Sequence, residues 1–132
     1  MQTNKKINSA FFITFSGDCK KALTLYQSCF GGDLYLDTLN ESIAGNKESP
    51  VVSGSLVSEK ITIYGSDLVH DEGRRTGNFM SIYIHCNTHD ERLNYLKKLG
   101  NNLKDYNTKK YAEQKLIEII DAFEVRWIFG VL

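Results

Sequence analysis

Proline occurs once in the 132 residues, tryptophan once and cysteine three times, and neither sign of charge is in excess, with 16 Lys and Arg against 16 Asp and Glu. Each scarcity excludes something. A chain with one proline, zero formal net charge and 24% charged residues carries no mark of disorder. The balanced charge argues against nucleic acid as the main partner, because phosphate binding needs surplus Lys and Arg gathered on one face. Lys20-Lys21, Lys97-Lys98 and Lys109-Lys110 are isolated pairs without interleaved aromatics, and read as solubilising charge. No apolar run approaches the ~20 residues of a membrane helix, and Met1–Asn8 is too polar for a signal peptide. The expectation is a cytoplasmic protein without a membrane partner. Cys19, Cys29 and Cys86 are odd in number and match no zinc or redox spacing, so they read as reduced thiols.

What is present is 42% hydrophobic residues in a chain long enough to bury roughly two-thirds of its unfolded surface as one domain. Asn8–Ser16 is aromatic and β-branched and reads as a strand. Asp18 is placed to cap a helix over Asp18–Phe30, whose Cys19, Ala22, Leu23, Tyr26 and Phe30 recur at helical spacing, and Gly31-Gly32 stops it. Asp33–Leu39 alternates as a strand with Leu34, Leu36 and Thr38 on one side. Asn40–Pro50 is a polar, mobile loop. Val51–Ser58 and Lys60–Gly65 are short strands around a turn, and Ser66–Asn78 is a second loop in which His70, Asp71, Glu72, Arg74 and Arg75 read as a solvated cluster or, alternatively, as a lid.

Phe79–Cys86 is again a strand. Thr88 with Glu91 matches a capping box, and Leu93, Leu96 and Leu99 give the following helix its apolar stripe up to Gly100. His89 falls in its exposed first turn. Asn101–Tyr106 reads as a short strand, Asn107–Glu113 as loop, and Leu116–Ile120 with Val125–Val131 as a closing hairpin. The order strand, helix, three strands therefore occurs twice, in modules of about 8–65 and 79–131. Ile63-Tyr64-Gly65 near the end of the first matches Ile128-Phe129-Gly130 near the end of the second. The fold expected is α+β, with two βαβββ modules pairing into a curled eight-strand sheet around a cleft and helices outside.

This arrangement resembles the vicinal oxygen chelate superfamily, which includes glyoxalase I, extradiol dioxygenases and the fosfomycin- and bleomycin-resistance proteins, and within it the PhnB-like branch. The segments that carry the resemblance are Phe11–Phe30 with Gly31-Gly32, Ser53–Asp67, Phe79–Asn87 and Asp121–Phe129. Two departures stand out: Ser53 where the branch often has His, and Glu124 where the closing turn usually has Gly. The resemblance implies a metal on four strand positions, two per module, which carry over to Phe11, Ile63, Ser81 (Met80 if the register moves by one) and Ile128. None is His, Glu or Asp, and phenyl and alkyl side chains do not ligate a divalent ion. The expectation is therefore no metal and no cofactor, and with them no glyoxalase or ring-cleaving chemistry. A methyltransferase label, which some members of the branch carry, gains no support: Ser16-Gly17-Asp18 holds a single glycine where a cofactor loop would need several.

Strand alternation from those four positions assembles the candidate site. It comprises Phe11 and Ile13 with Phe15 beside them, Ser53, Ser55 and Ile63, then Ser81, Tyr83 and His85, and finally Glu118, Arg126 and Ile128. Met80, Ile82 and Ile84 are assigned to the helix-side core, as are Ile117, Ile119, Trp127 and Phe129. An apolar floor with a rim of Tyr83, His85, Glu118 and Arg126 suits a small, partly polar organic ligand. Glu118 and Arg126 also read as a simple cross-strand ion pair. His85 and Cys86, adjacent on a strand, point to opposite faces and cannot form a nucleophile–base couple. Three readings follow: a metal-independent binding protein, an enzyme using Tyr83, His85 and Glu118 as acid and base, or an association module with a collapsed cleft. The resemblance also implies a homodimer.

Overall fold

The computed structural model describes residues 9–39, 49–67, 74–100 and 113–132. The chain divides into two compact units, Met1–Arg75 and Thr76–Leu132, each combining strands with one helix. Among the described residues no helix is long and apolar enough to cross a membrane.

In the first unit, β1 (Phe11–Thr14), α1 (Cys19–Phe30), β2 (Asp33–Thr38), β3 (Val51–Val57) and β4 (Thr62–Ser66) follow the expected βαβββ order. Their sheet has the order β1-β4-β3-β2, with β1 parallel to β4 and the other pairs antiparallel. Cys19, Ala22, Leu23, Tyr26 and Cys29 are buried along one stripe of α1, while Phe30 is only half-buried. Asp18 does not cap the helix with its side chain. Its backbone, at φ −103° and ψ 7°, lacks the extended conformation that turns a cap carboxylate toward the first helical N–H groups. Asp67, at the end of β4, takes that role. Its Oδ1 accepts from the Gly17 and Cys19 N–H groups at 2.8 and 3.1 Å, and its Oδ2 from the Val51 N–H at 2.9 Å. Helix α1 ends at Gly31, followed by Gly32 at φ 95°, where a side chain would overlap the Val57 carbonyl; only glycine fits there.

Two glycines identify the face of this sheet that α1 covers. A Cβ on Gly54 would meet Leu23 Cδ1, and one on Gly65 would meet Cys19 Sγ, both on α1. Register then places Leu56 and Ile63 on the same face, both wholly buried.

The second unit holds β5 (Ile82–His85), α2 (His89–Leu99), β6 (Leu116–Ile120) and β7 (Arg126–Gly130), with sheet order β5-β7-β6. β5 is parallel and β6 antiparallel to β7. The expected strand over Asn101–Tyr106 lies outside the described residues, as do most of the loop after it and the stretches 40–48 and 68–73. The described residues thus form two mixed sheets, of four and three strands. β5 is shorter than expected. Phe79 and Met80 precede it and are exposed, so Met80 does not join the core.

Helix α2 starts as the capping box predicts: Thr88 Oγ1 accepts from the Glu91 N–H at 3.0 Å, and the Glu91 carboxylate reaches back to the Asn87 N–H at 3.2 Å. Ile82, Ile84, Ile117, Ile119, Trp127 and Phe129 are buried on one face of the sheet, where Tyr95 of α2 stacks on Phe129 at 5.9 Å. Arg92 of α2 is also buried, its Nη1 donating to the Lys115 carbonyl at 3.2 Å. One buried side chain ties each hairpin. Ser58 Oγ accepts from the Ile61 N–H and donates to the Ile61 carbonyl. The Asp121 carboxylate accepts from the Phe123 and Val125 N–H groups and from the Trp127 indole at 2.8 Å.

Candidate functional site

With one face of the second sheet filled by its core, alternation turns Tyr83 and His85 of β5, Arg126, Ile128 and Gly130 of β7, and Leu116, Glu118 and Ile120 of β6 to the other face. Register arranges them in rows across the strands. His85, Gly130 and Leu116 form one row, Tyr83, Ile128 and Glu118 the next, and Arg126 and Ile120 the third. Half-buried Ser81 lies just before β5, outside the paired strand. Five of the six residues expected from this module, Tyr83, His85, Glu118, Arg126 and Ile128, therefore share a face. Tyr83 is 44% exposed, Leu116 53% and Ile120 51%, so that face presents both apolar and polar groups to its surroundings.

The central strand contributes a gap. A Cβ built on Gly130 would overlap the Tyr83 hydroxyl and lie 2.8 and 2.9 Å from the ring's Cε1 and Cζ, so the phenol rests across the bare backbone of the next strand. There its Oη stands 3.4 Å from His85 Nδ1. On the far side, Arg126 Nη1 donates to Glu118 Oε1 at 3.3 Å and Arg126 Nε to the Gly77 carbonyl at 3.1 Å. With Glu118 half exposed, this is a solvated ion pair worth about 0.2–1 kcal/mol. Tyr83 and Glu118 flank Ile128 from opposite sides, two strand spacings or about 10 Å apart at the backbone. The acid–base trio of Tyr83, His85 and Glu118 is therefore divided: the first two touch, and the third is held by Arg126.

The residues expected from the first module do not share one face. Phe11 and Ile13 pair in register with Ile63 and Gly65, on the α1 side, where Ile63 has no exposed surface. Phe15, expected beside them, is buried against the same Gly65 with the Arg74 guanidinium 5.2 Å above its ring. Ser53 and Ser55 point the opposite way. On that outer face, Ser55 makes a row across all four strands with Tyr35, Tyr64 and Phe12, three residues left out of the expected site because it was built from Ile63. The error is a slip of one residue. Ile63-Tyr64-Gly65 and Ile128-Phe129-Gly130 match in letters, yet Ile63 and Phe129 are the buried members and Tyr64 and Ile128 the outward ones. By facing, Tyr64 corresponds to Ile128, and a one-residue shift exchanges the two faces of a strand.

The corrected register keeps the metal donors absent. The outward positions of β1 and β4 are Phe12, Thr14, Thr62, Tyr64 and Ser66, and those of β5 and β7 offer one imidazole, His85. Among the described residues no three His, Cys, Asp or Glu come together to hold a metal ion. This donor set does not fit a divalent cation.

No family model and no curated protein matches the chain. Solved structures do. A PhnB protein from Bacillus cereus, provisionally named a 3-demethylubiquinone-9 3-methyltransferase, is similar with a TM-score of 0.68 at 17% identity, over 96% of this chain and 100% of its own. A protein from Pseudomonas aeruginosa is similar with a TM-score of 0.65 at 16% identity, over 96% of this chain and 98% of its own. A Staphylococcus aureus protein reaches 0.57 at 14% identity, over 97% and 96%. At these identities the likeness is one of fold, and the fold is that of the PhnB protein.

Proposed function

We propose that this chain is a PhnB-like member of the vicinal oxygen chelate superfamily that binds a small, partly polar organic molecule without a metal ion. Its binding surface is the outward face of the second sheet. The observation that carries this reading is the set of Tyr83, His85, Glu118, Arg126 and Ile128 on one face of a sheet whose opposite face is filled by Trp127, Phe129 and four isoleucines. Apolar side chains interleaved with an imidazole and a guanidinium give area for an organic body and donors for its oxygens. The superfamily membership rests on the fold shared with the PhnB protein and on the four sequence segments that carry the resemblance. Binding fits the site better than catalysis, because Glu118 is neutralised by Arg126 in a solvated pair and stands away from His85.

Native mass spectrometry of the protein as purified, joined to elemental analysis, tests the reading. The expected result is a metal-free species carrying an organic mass that Arg126→Ala and Tyr83→Ala each deplete several-fold. One stoichiometric divalent metal would overturn it. The same spectra report oligomeric state, for which a homodimer belongs to this proposal.

A further inference from the structure

We infer that Gly130 and Tyr83 act as positioning residues that fix the tautomer of His85, so that the neutral imidazole presents its Nε2–H to the ligand. This rests on the proposed binding face and deepens it by naming the ligand chemistry at one corner: an oxygen acceptor, carbonyl or carboxylate, on an apolar body. Two contacts lead there. Gly130 lacks the Cβ that would displace the phenol, so the Tyr83 ring lies across β7 and its hydroxyl comes within 3.4 Å of His85 Nδ1. A neutral imidazole has one N–H and one lone pair, and which nitrogen carries the proton is set by the bond the other makes. The phenol oxygen is a poor acceptor because its lone pair is drawn into the ring, whereas an imidazole lone pair accepts strongly. Tyr83 therefore donates to Nδ1, and the proton of His85 sits on Nε2. His85 is exposed and shares a row with Gly130 and Leu116, so that donor stands at the edge of an apolar strip.

The role is indirect for both positioning residues, and the tautomer itself is the readout. Histidine-15N-labelled full chain is examined by long-range 1H–15N correlation at about pH 8.5, above the ordinary imidazole titration. His85→Gln identifies the His85 signals among the three histidines. In the wild type the Nε2–H form is expected to dominate. Tyr83→Phe, which removes only the hydroxyl, should shift the ratio toward Nδ1–H by roughly fivefold, the factor an ordinary hydrogen bond supplies. Gly130→Ala should produce the same shift by pushing the phenol aside, a cheap movement because the displaced atoms are the far end of a side chain. An unchanged ratio in Tyr83→Phe, or a dominant Nδ1–H form in the wild type, overturns the inference. Acetophenone and benzoate then serve as oxygen-acceptor probes, with benzylamine as a donor-only control. The acceptors should move the His85 ring signals and bind Tyr83→Phe more weakly by no more than about threefold, because affinity follows the fraction of the Nε2–H form and that form dominates in the wild type, while benzylamine leaves those signals in place. Equal movement by benzylamine contradicts the assigned donor. If no probe perturbs any residue of this face, the binding reading falls, and the positioning role is judged on the tautomer ratio alone.

Discussion

At the scale of single residues, Cys19 and Glu124 make opposite contributions. Cys19 is wholly buried at the start of α1, and burial, with the Asp67 carboxylate adding to it, pushes its thiol up from 9.0 to about 12. The unfolded chain releases that proton near the ordinary value, so between these limits the folded state holds more protons than the unfolded one. Stability is full below pH 9 and falls as pH rises toward 12, with a slope of up to ~1.4 kcal/mol per pH unit from this group. Urea midpoints at about pH 8, 9.5 and 10.5 should fall less steeply in Cys19→Ala than in the wild type; parallel slopes would contradict the assignment. Glu124 closes the β6–β7 turn at φ 65°, a conformation costing a side-chain-bearing residue about 1–2 kcal/mol. After allowance for the greater freedom of glycine in the unfolded chain, Glu124→Gly should stabilise the protein by about 0.5–1 kcal/mol, read as a higher thermal midpoint. The departure noticed in the sequence, Glu where related turns have Gly, is thus a point of backbone strain.

Elements were readable to the extent that their causes are local. The stripe of Ala22, Leu23 and Tyr26, the Thr88–Glu91 box and the glycine stop of α1 all act within a turn or two of chain, and each helix lies where they place it. The start of α1 at Asp18 was readable, but the group that caps it was not, because the acceptor is Asp67, 48 residues beyond Cys19. Asp67→Ala should therefore cost roughly 1–3 kcal/mol, since the Gly17, Cys19 and Val51 N–H groups lose their acceptor, whereas Asp18→Ala should stay within about 0.5 kcal/mol. Denaturant midpoints of the two variants decide between the long-range cap and the local one. Facing, too, lay beyond the letters. In the second unit, Glu118 and Arg126 interrupt an otherwise apolar hairpin and reveal which side is outward. In the first, β4 reads Thr-Ile-Tyr-Gly-Ser with no charge to orient it, and the repeat was aligned one residue out. Ser53 and Ser55 were thereby grouped with Ile63, from which they are separated by the thickness of the sheet.

At the scale of the molecule, the account rests on one sheet face. The shared fold with the PhnB protein does not by itself assign chemistry, since one fold hosts many functions. The residues on the outward face of β5, β7 and β6 narrow it: no divalent-metal donor set, one Tyr–His contact, one solvated ion pair and an apolar strip. The most direct test is chemical-shift mapping of the full chain against a library of small aromatic and aliphatic carbonyl and carboxylate compounds. The account predicts that binders move the amide and side-chain signals of Tyr83, His85, Glu118, Arg126 and Ile128 together. Binding whose shifts instead centre on the Tyr35–Ser55–Tyr64–Phe12 row of the first sheet, or a library that moves neither face, would contradict it.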